Sequence, residues 1–328
     1  MVCDMLQYFL KRLVLIIPIV IAITFIVFFI LSLSSDPTYA IIGYGATPES
    51  VAELREELGF NDPLLVRYAD WFFKVFRGDF GTSYFTNIRI VDELQSRLPV
   101  TLKLSVLSII LVTVLSIPLG IISAVKQYSV PDTVLQFFAF VLAAVPPFWL
   151  GMLLTLLFSI SLRWLPSIGA DGPLNYIMPT ITLVASIMAQ QIRTTRSSML
   201  EVIGQDYIRT AKAKGQTPSI IIRKHALRNA LIPIITVIGV NFGMIIAGAV
   251  IVETVFAMPG FGTYLIEGVK KGDVPVVMGC IIFAAVSICL INLLVDMGYA
   301  FIDPRVKREY VEKSKLLKLR GTVGKGGQ

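Results

Sequence analysis

Long apolar runs decide what this chain can become. Leu13 to Leu33, Leu104 to Val125, Val134 to Ile160, Tyr176 to Ile192, Leu231 to Val255 and Val274 to Ala300 are mostly apolar, and about 20 such residues cross a bilayer as a helix. Inside hydrocarbon every amide must pair within its own segment, so these runs are expected to be helices. The expectation is an all-α integral membrane protein with six transmembrane helices. Apolar residues make up 55% of the chain and mean hydropathy is +0.77, above the roughly 45–50% apolar content of soluble domains. Tyr176 to Ile192 is short and needs tilt or helical neighbours. Pro146 and Pro147 interrupt the third run, and Pro118 lies near the end of the second. Each could act as a hinge or as a static kink satisfied by neighbours. The first run is too long for a secretory signal, and no small-residue cleavage site follows it.

Lysine and arginine set the orientation. Lys11 and Arg12 precede the first run, and Lys126 separates the second from the third. Arg193, Arg196, Arg209, Lys212, Lys214, Arg223, Lys224 and Arg228 lie between the fourth and fifth, and the tail after Asp303 is basic. These fall on one side, predicted to be cytoplasmic, with both termini there. The net charge of +7 is therefore topological, and nucleic acid is not an expected partner. Cys3, Cys280 and Cys289 form no spacing motif, and His225 is the single histidine. Disulfides, metal sites and histidine acid–base schemes are accordingly not expected, nor is any cofactor.

The segment between the first two runs is net acidic and predicted to be extracytoplasmic. Pro48 to Leu58 reads as a helix capped by Thr47 and closed by Gly59. Leu64 to Phe76 reads as a second, rich in Tyr68, Trp71, Phe72, Phe73 and Phe76, ended by a turn at Gly78 to Gly81. Its aromatic surface would face lipid or a partner; a small cap packed on the span ends is the alternative.

The most polar long interruption, Glu201 to Pro233, reads as two amphipathic helices meeting at Gly215. Met199, Val202, Ile203, Tyr207 and Ala211 recur at helical spacing before it. Gly215 suits a helix C′ position; Thr217 is placed to cap the next helix, and Pro218 fits its first turn. That helix carries Ile220, Leu227 and Leu231 on one side, with Arg223, Lys224 and Arg228 on others. A DNA-binding helix pair has this layout, but its closeness to the bilayer on both sides excludes groove access. Docking on anionic lipid or on a protein remains.

Asp206-Tyr207-Ile208-Arg209-Thr210-Ala211-Lys212-Ala213-Lys214-Gly215 and His225-Ala226-Leu227-Arg228-Asn229-Ala230-Leu231 resemble the cytoplasmic loop of binding-protein-dependent ABC import permeases. Arg209 and Thr210 replace the Glu and Ala of the general pattern, as in the dipeptide/oligopeptide/nickel branch. Leu58 to Leu64, Gly78 to Ser83, Arg97 to Leu102, Pro147 to Gly151, Leu165 to Gly169, Glu253 to Phe256, Pro259 to Gly262 and Asp303 to Val306 are similar to that branch too. Ser34-Ser35-Asp36-Pro37 departs from its usual Pro-Gly-Asp-Pro.

The resemblance implies the type I importer permease fold. Residues 1–33 would hold the N-terminus and first span, 34–97 the extracytoplasmic segment, 98–303 the permease domain with its docking loop at 196–230, and 304–328 a cytoplasmic tail. It implies a second, homologous permease subunit, two ATPase subunits, and an extracytoplasmic binding protein that delivers cargo. In the docking loop, Ile203, Tyr207 and Ile220 would anchor in an ATPase groove while Arg209, Lys212 and Arg223 orient, with Asp206, Thr210, Ala211, Gly215, His225, Leu227, Arg228 and Asn229 completing the surface. Peptide is the implied cargo, although similar sequences carry oligosaccharides and nickel chelates. No G-x-x-x-x-G-K-[ST] string occurs, so the chain is not expected to be an enzyme, and ATP would be handled by another polypeptide.

Polar residues within the runs are pathway or gate candidates: Asn241, Glu253, Asn292 and Asp296, with Pro259 and Gly260 in the loop that follows the fifth. Asn241 could line a pore or tie two helices, the commoner role. Asp296 could instead pair with Arg305, and Glu253 could pair near the outer end. An ion-coupled carrier using Asp296 and Glu253 is the rival reading. It lacks inverted repeats, and neither carboxylate falls convincingly at mid-depth.

Overall fold

A computed structural model describes residues 2–34, 37–43 and 45–302. Among them the chain is helical, with one isolated antiparallel bridge between Thr82 and Arg89. The side chains of Asn292 and Asp296 and all of residues 303–328 lie outside the described residues.

Helix α1 (Val2–Ser34) leads into α2 (Thr38–Ile42), α3 (Pro48–Glu57) and α4 (Leu64–Phe76). Thr47 caps α3 as expected: its hydroxyl accepts from the Ser50 amide at 3.2 Å, and Ser50 returns the bond to the Thr47 amide at 3.0 Å. Glycines with positive φ, Gly59 and Gly78, close α3 and α4. In both, the glycine and the residue after it bond back to the helix's last turn, Gly59 to Glu56 and Phe60 to Arg55, Gly78 to Val75 and Asp79 to Lys74.

The remaining helices are α5 (Ile90–Val125), α6 (Val130–Ala144), α7 (Pro147–Leu154) continued by π-helical turns Thr155–Ser161, α8 (Ile177–Ile203), α9 (Asp206–Ala213), α10 (Pro218–Ile220), α11 (Leu227–Val255), α12 (Phe261–Lys271) and α13 (Val274–Ile302). Ile90–Val125, the continuous helix Pro218–Val255 and Val274–Ile291 are each long and apolar enough to cross a bilayer. The expected third span is broken: Val130–Ala144 and Pro147–Ser161 meet at 98°, because Pro146 and Pro147 cannot continue the amide ladder. Ile17–Leu33 of α1 is a shorter apolar stretch.

Helix α8 has the length of a span but a more polar surface, and the packing explains why. Thr180, Thr182, Gln191, Thr195 and Ser198 are all buried, as are Leu183, Val184 and Ile187. It packs against α5, α6 and α11, so its polar groups meet protein. Thr182 and Thr195 hydroxyls bond the carbonyls of Met178 and Gln191 one turn back, which satisfies them within the helix. Where α5 crosses α8, a side chain at Gly120 would overlap Thr195; glycine lets the two backbones approach.

Candidate functional site: the polar loop and its supports

The loop between α8 and α11 begins at Gly204. Helix α9 ends in a full Schellman closure: the Gly215 amide bonds Lys212 O at 3.0 Å and the Gln216 amide bonds Ala211 O at 3.3 Å. Gly215 has φ +74° with open space around its missing side chain, so backbone conformation alone demands glycine there. Thr217 holds the capping position with extended backbone but makes no side-chain cap bond, and Pro218 starts the next helix. That helix is not a separate element. It passes through π-helical turns at Ile221–Ala226 straight into α11, so the second arm of the pair and the fifth apolar run are one rod.

The pair is clamped from below. Ala124, Met199, Ile208, Ala211, Ile221, Ala226, Ala230 and Ile234 form one buried cluster. In each arm the residue that faces the bundle is the neighbour of one expected to anchor outside: Ile208 is fully buried while Tyr207 is exposed, and Ile221 is buried while Ile220 is exposed. Helical spacing alone could not single out the buried neighbour, because both are apolar and adjacent on the helix. The outward surface is therefore Tyr207, Ile220, Asp206, Arg209, Thr210, Lys212, Gly215, Arg223, Arg228 and Asn229, all exposed; of the other residues expected there, His225 is half-buried, Ile203 and Leu227 are half-buried against the inner cluster, and Ala211 is buried within it. Asn229 ties the arms, donating to the Tyr207 hydroxyl at 3.0 Å and to the His225 carbonyl at 2.9 Å. The His225 Nε2 atom is buried without a partner among the described residues.

Beside the clamp lies a polar joint that sequence reading overlooked. Arg196 donates from two nitrogens to both Asp132 oxygens, at 3.0 and 2.9 Å. Ser123 and the Tyr128 amide donate to the same carboxylate. Asp132 is 4% exposed, so a nearly dehydrated carboxylate receives four donors from α5, the α5–α6 turn and α8. A helix's first turn also favours its charge. The only signal in the sequence was a lone acid after a proline at a helix start.

At the opposite end of α11, Glu253 is fully buried. Its Oε2 accepts from the amides of Gly262 at 2.7 Å and Thr263 at 3.3 Å, and Thr101 donates to Oε1. Thr101 in turn accepts from the Phe261 amide at 2.9 Å. The two side chains thus satisfy the first three amides of α12, a capping arrangement supplied by other helices. A side chain at Gly260 would occupy the Glu253 carboxylate, and one at Gly262 would overlap Val250 backbone. Pro259 is exposed beside them. Asn241 is also fully buried, donating to Gln191 Oε1 at 2.9 Å, while Gln191 donates to Ile234 O at 3.3 Å. It ties α11 to α8, the second of the two roles the sequence left open.

These helices, three of them long and apolar enough to cross a bilayer and a further pair forming a broken span, define a multi-pass membrane protein. Residues 116–308 match the family described as binding-protein-dependent transport system inner membrane component, and residues 5–105 match the N-terminal family of such membrane components. The chain belongs to the binding-protein-dependent transport system inner membrane component family.

It is 38% identical to the dipeptide transport system permease protein DppB of Alkalihalophilus pseudofirmus, over 92% of this chain and 100% of that protein. It is 40% identical to the probable peptide ABC transporter permease protein y4tP of Sinorhizobium fredii and 39% to the glutathione transport system permease protein GsiC of Salmonella typhimurium, each over 92% of this chain and 99% of the relative. Among solved structures, a chain of the inward-facing MetNI methionine ABC transporter matches with a TM-score of 0.54 at 18% identity, covering 64% of this chain and 96% of that one. That likeness concerns the fold.

Proposed function

We propose that the protein is the peptide-conducting permease subunit of an ATP-driven importer in the cytoplasmic membrane. The observation that carries this reading is the helix pair at Gly215. It is rigidly clamped underneath by Ile208, Ala211, Ile221 and Ala226, yet exposes Tyr207, Ile220 and a row of cations. Buried anchoring with an amphipathic outer face suits a lever docked in another protein, here an ATPase subunit. Because the second arm is continuous with α11, a push on the loop would move a whole span. The joint at Asp132 and Arg196 would carry the same motion to α5, α6 and α8.

Similarity to permeases named for dipeptides, peptides and glutathione supports peptide as cargo. Six spans are proposed: α1, α5, the broken α6–α7 segment, α8, α11 and α13, with both termini cytoplasmic. Exposed Phe137, Phe138, Phe140, Phe148 and Trp149 around the break would meet lipid and a homologous second permease. The loop at Pro259 and the segment 34–97 would receive an extracytoplasmic binding protein. Glu253 and Gly260 serve there by holding α12 in place, so a gate at this end would move α12 as a unit. Asn292 and Asp296 stay candidates for the pathway.

The test is reconstitution with the second permease, the two ATPases and the binding protein. ATP should drive uptake of a labelled dipeptide into proteoliposomes. Uptake that persists without the ATPases and collapses with the proton gradient would establish the carrier reading instead.

A further inference from the structure

Helix α4 belongs to the segment expected to lie outside the membrane, but its contacts run down the side of α1. The Tyr68 ring packs edge-on against Phe25 at 5.2 Å and against Phe28 at 5.6 Å. Its hydroxyl reaches the Ile21 carbonyl at 3.1 Å and the Thr24 hydroxyl at 2.9 Å. Thr24 sits in the middle of the apolar stretch Ile17–Leu33. One end of α4 joins a cluster with Phe28 and Leu31 through Leu64, and the other joins Val20 and Ile282 through Val75. The helix therefore descends antiparallel to α1 from near Leu31 to the level of Val20. At 1.5 Å per residue that drop is about 16 Å, roughly half of a bilayer's hydrocarbon core.

Around α4 the residues sort into three stripes. Leu64, Tyr68, Trp71 and Val75 face α1 and α13. Next to them, at helical spacing, come Leu65, Val66, Phe73 and Phe76, which are 67, 47, 65 and 74% exposed. Asp70, Lys74 and Arg77, all exposed, complete the circle. An apolar stripe at mid-membrane height has the same surroundings as the exposed Ile19, Ile23, Ile26 and Ile30 of α1. Charges at that depth are tolerated where they face a water-filled cavity.

We propose that α4 is inserted into the bilayer as a wall, with Leu65, Val66, Phe73 and Phe76 against lipid acyl chains and Asp70, Lys74 and Arg77 against an aqueous vestibule. The inference rests on α1 being a span and is independent of the cargo.

Spin labels at Phe73→Cys, Phe76→Cys and Lys74→Cys test it in the assembled complex in lipid nanodiscs, with Cys3, Cys280 and Cys289 replaced by alanine. Collision with oxygen relative to a water-soluble nickel chelate should be several-fold higher at 73 and 76 than at 74. Equal chelate access at all three sites would mean a helix in water and would overturn the proposal. So would immobile labels at 73 and 76 that neither reagent reaches, which would place the second permease there. A benzophenone amino acid at Phe76, in the protein with its native cysteines, gives an independent answer: phospholipid adducts are expected, and adducts to protein alone would refute lipid contact. Transport need not be measured, so failure of the peptide reading would leave this result intact.

Discussion

Glu253 shows how a single buried charge can be structural. Its partners are the Thr101 hydroxyl and two helix-end amides, which lie on α5 and α12 and hold both to α11. Glu253→Ala leaves the Gly262 and Thr263 amides without acceptors, at about 1–3 kcal/mol for each buried orphan. Glu253→Gln keeps one oxygen for an amide and can offer its nitrogen to Thr101, so it should be milder. Thermal unfolding of the purified complex should fall further for alanine than for glutamine; equal midpoints would contradict the capping role. Asp132 and Arg196 obey a different rule. Removing one member of a buried pair strands the other, at roughly 3–5 kcal/mol, somewhat less here because the Arg196 side chain is 21% exposed. Asp132→Ala should therefore destabilise more than Asp132→Ala combined with Arg196→Leu, read by the same unfolding measurement.

At the scale of elements, the turn at Gly215 carries the clearest prediction. Nothing lies near its missing side chain, so a substitution there acts through the backbone and through whatever docks outside. A left-handed conformation costs an ordinary residue roughly 1–2 kcal/mol, and asparagine adopts it more readily. Gly215→Val should assemble in the membrane but lose transport-coupled ATP hydrolysis, whereas Gly215→Asn should retain much of it. Coupled hydrolysis at wild-type level in the valine variant would exclude the lever. The tie between the arms is weaker and more exposed. Tyr207→Phe removes the acceptor for Asn229 and should reduce coupling less than the valine substitution, in the same assay.

For the whole molecule, the arrangement around α8 sets the mechanics. It packs on α5, α6 and α11 and carries Arg196 near the loop and Gln191 deeper in, so three helices share its movement. An ATP-powered importer with this layout should continue to accumulate a labelled dipeptide when an ionophore dissipates the proton gradient. Loss of uptake under those conditions, measured in proteoliposomes with ATP supplied, would exclude ATP as the direct driver.

The sequence by itself determined the class, most of the long helices and the glycine turn, but not the helix Phe261–Lys271 or the fusion of Pro218–Ile220 with α11. Apolar run length dictates helices in lipid, and proline and glycine mark where helices break or close, as at Pro146, Gly59 and Gly215. What it left open was which neighbour of an apolar pair points inward, as between Tyr207 and Ile208, because adjacent residues differ only in azimuth on the helix. It also left open the partners of the buried polar groups. Glu253 with Thr101, Asn241 with Gln191 and Asp132 with Arg196 are separated by 152, 50 and 64 residues, and no local pattern encodes such distances. Periodicity likewise could not place α4 beside the middle of α1. Only tertiary packing decided these, because contacts between remote segments depend on how whole helices cross.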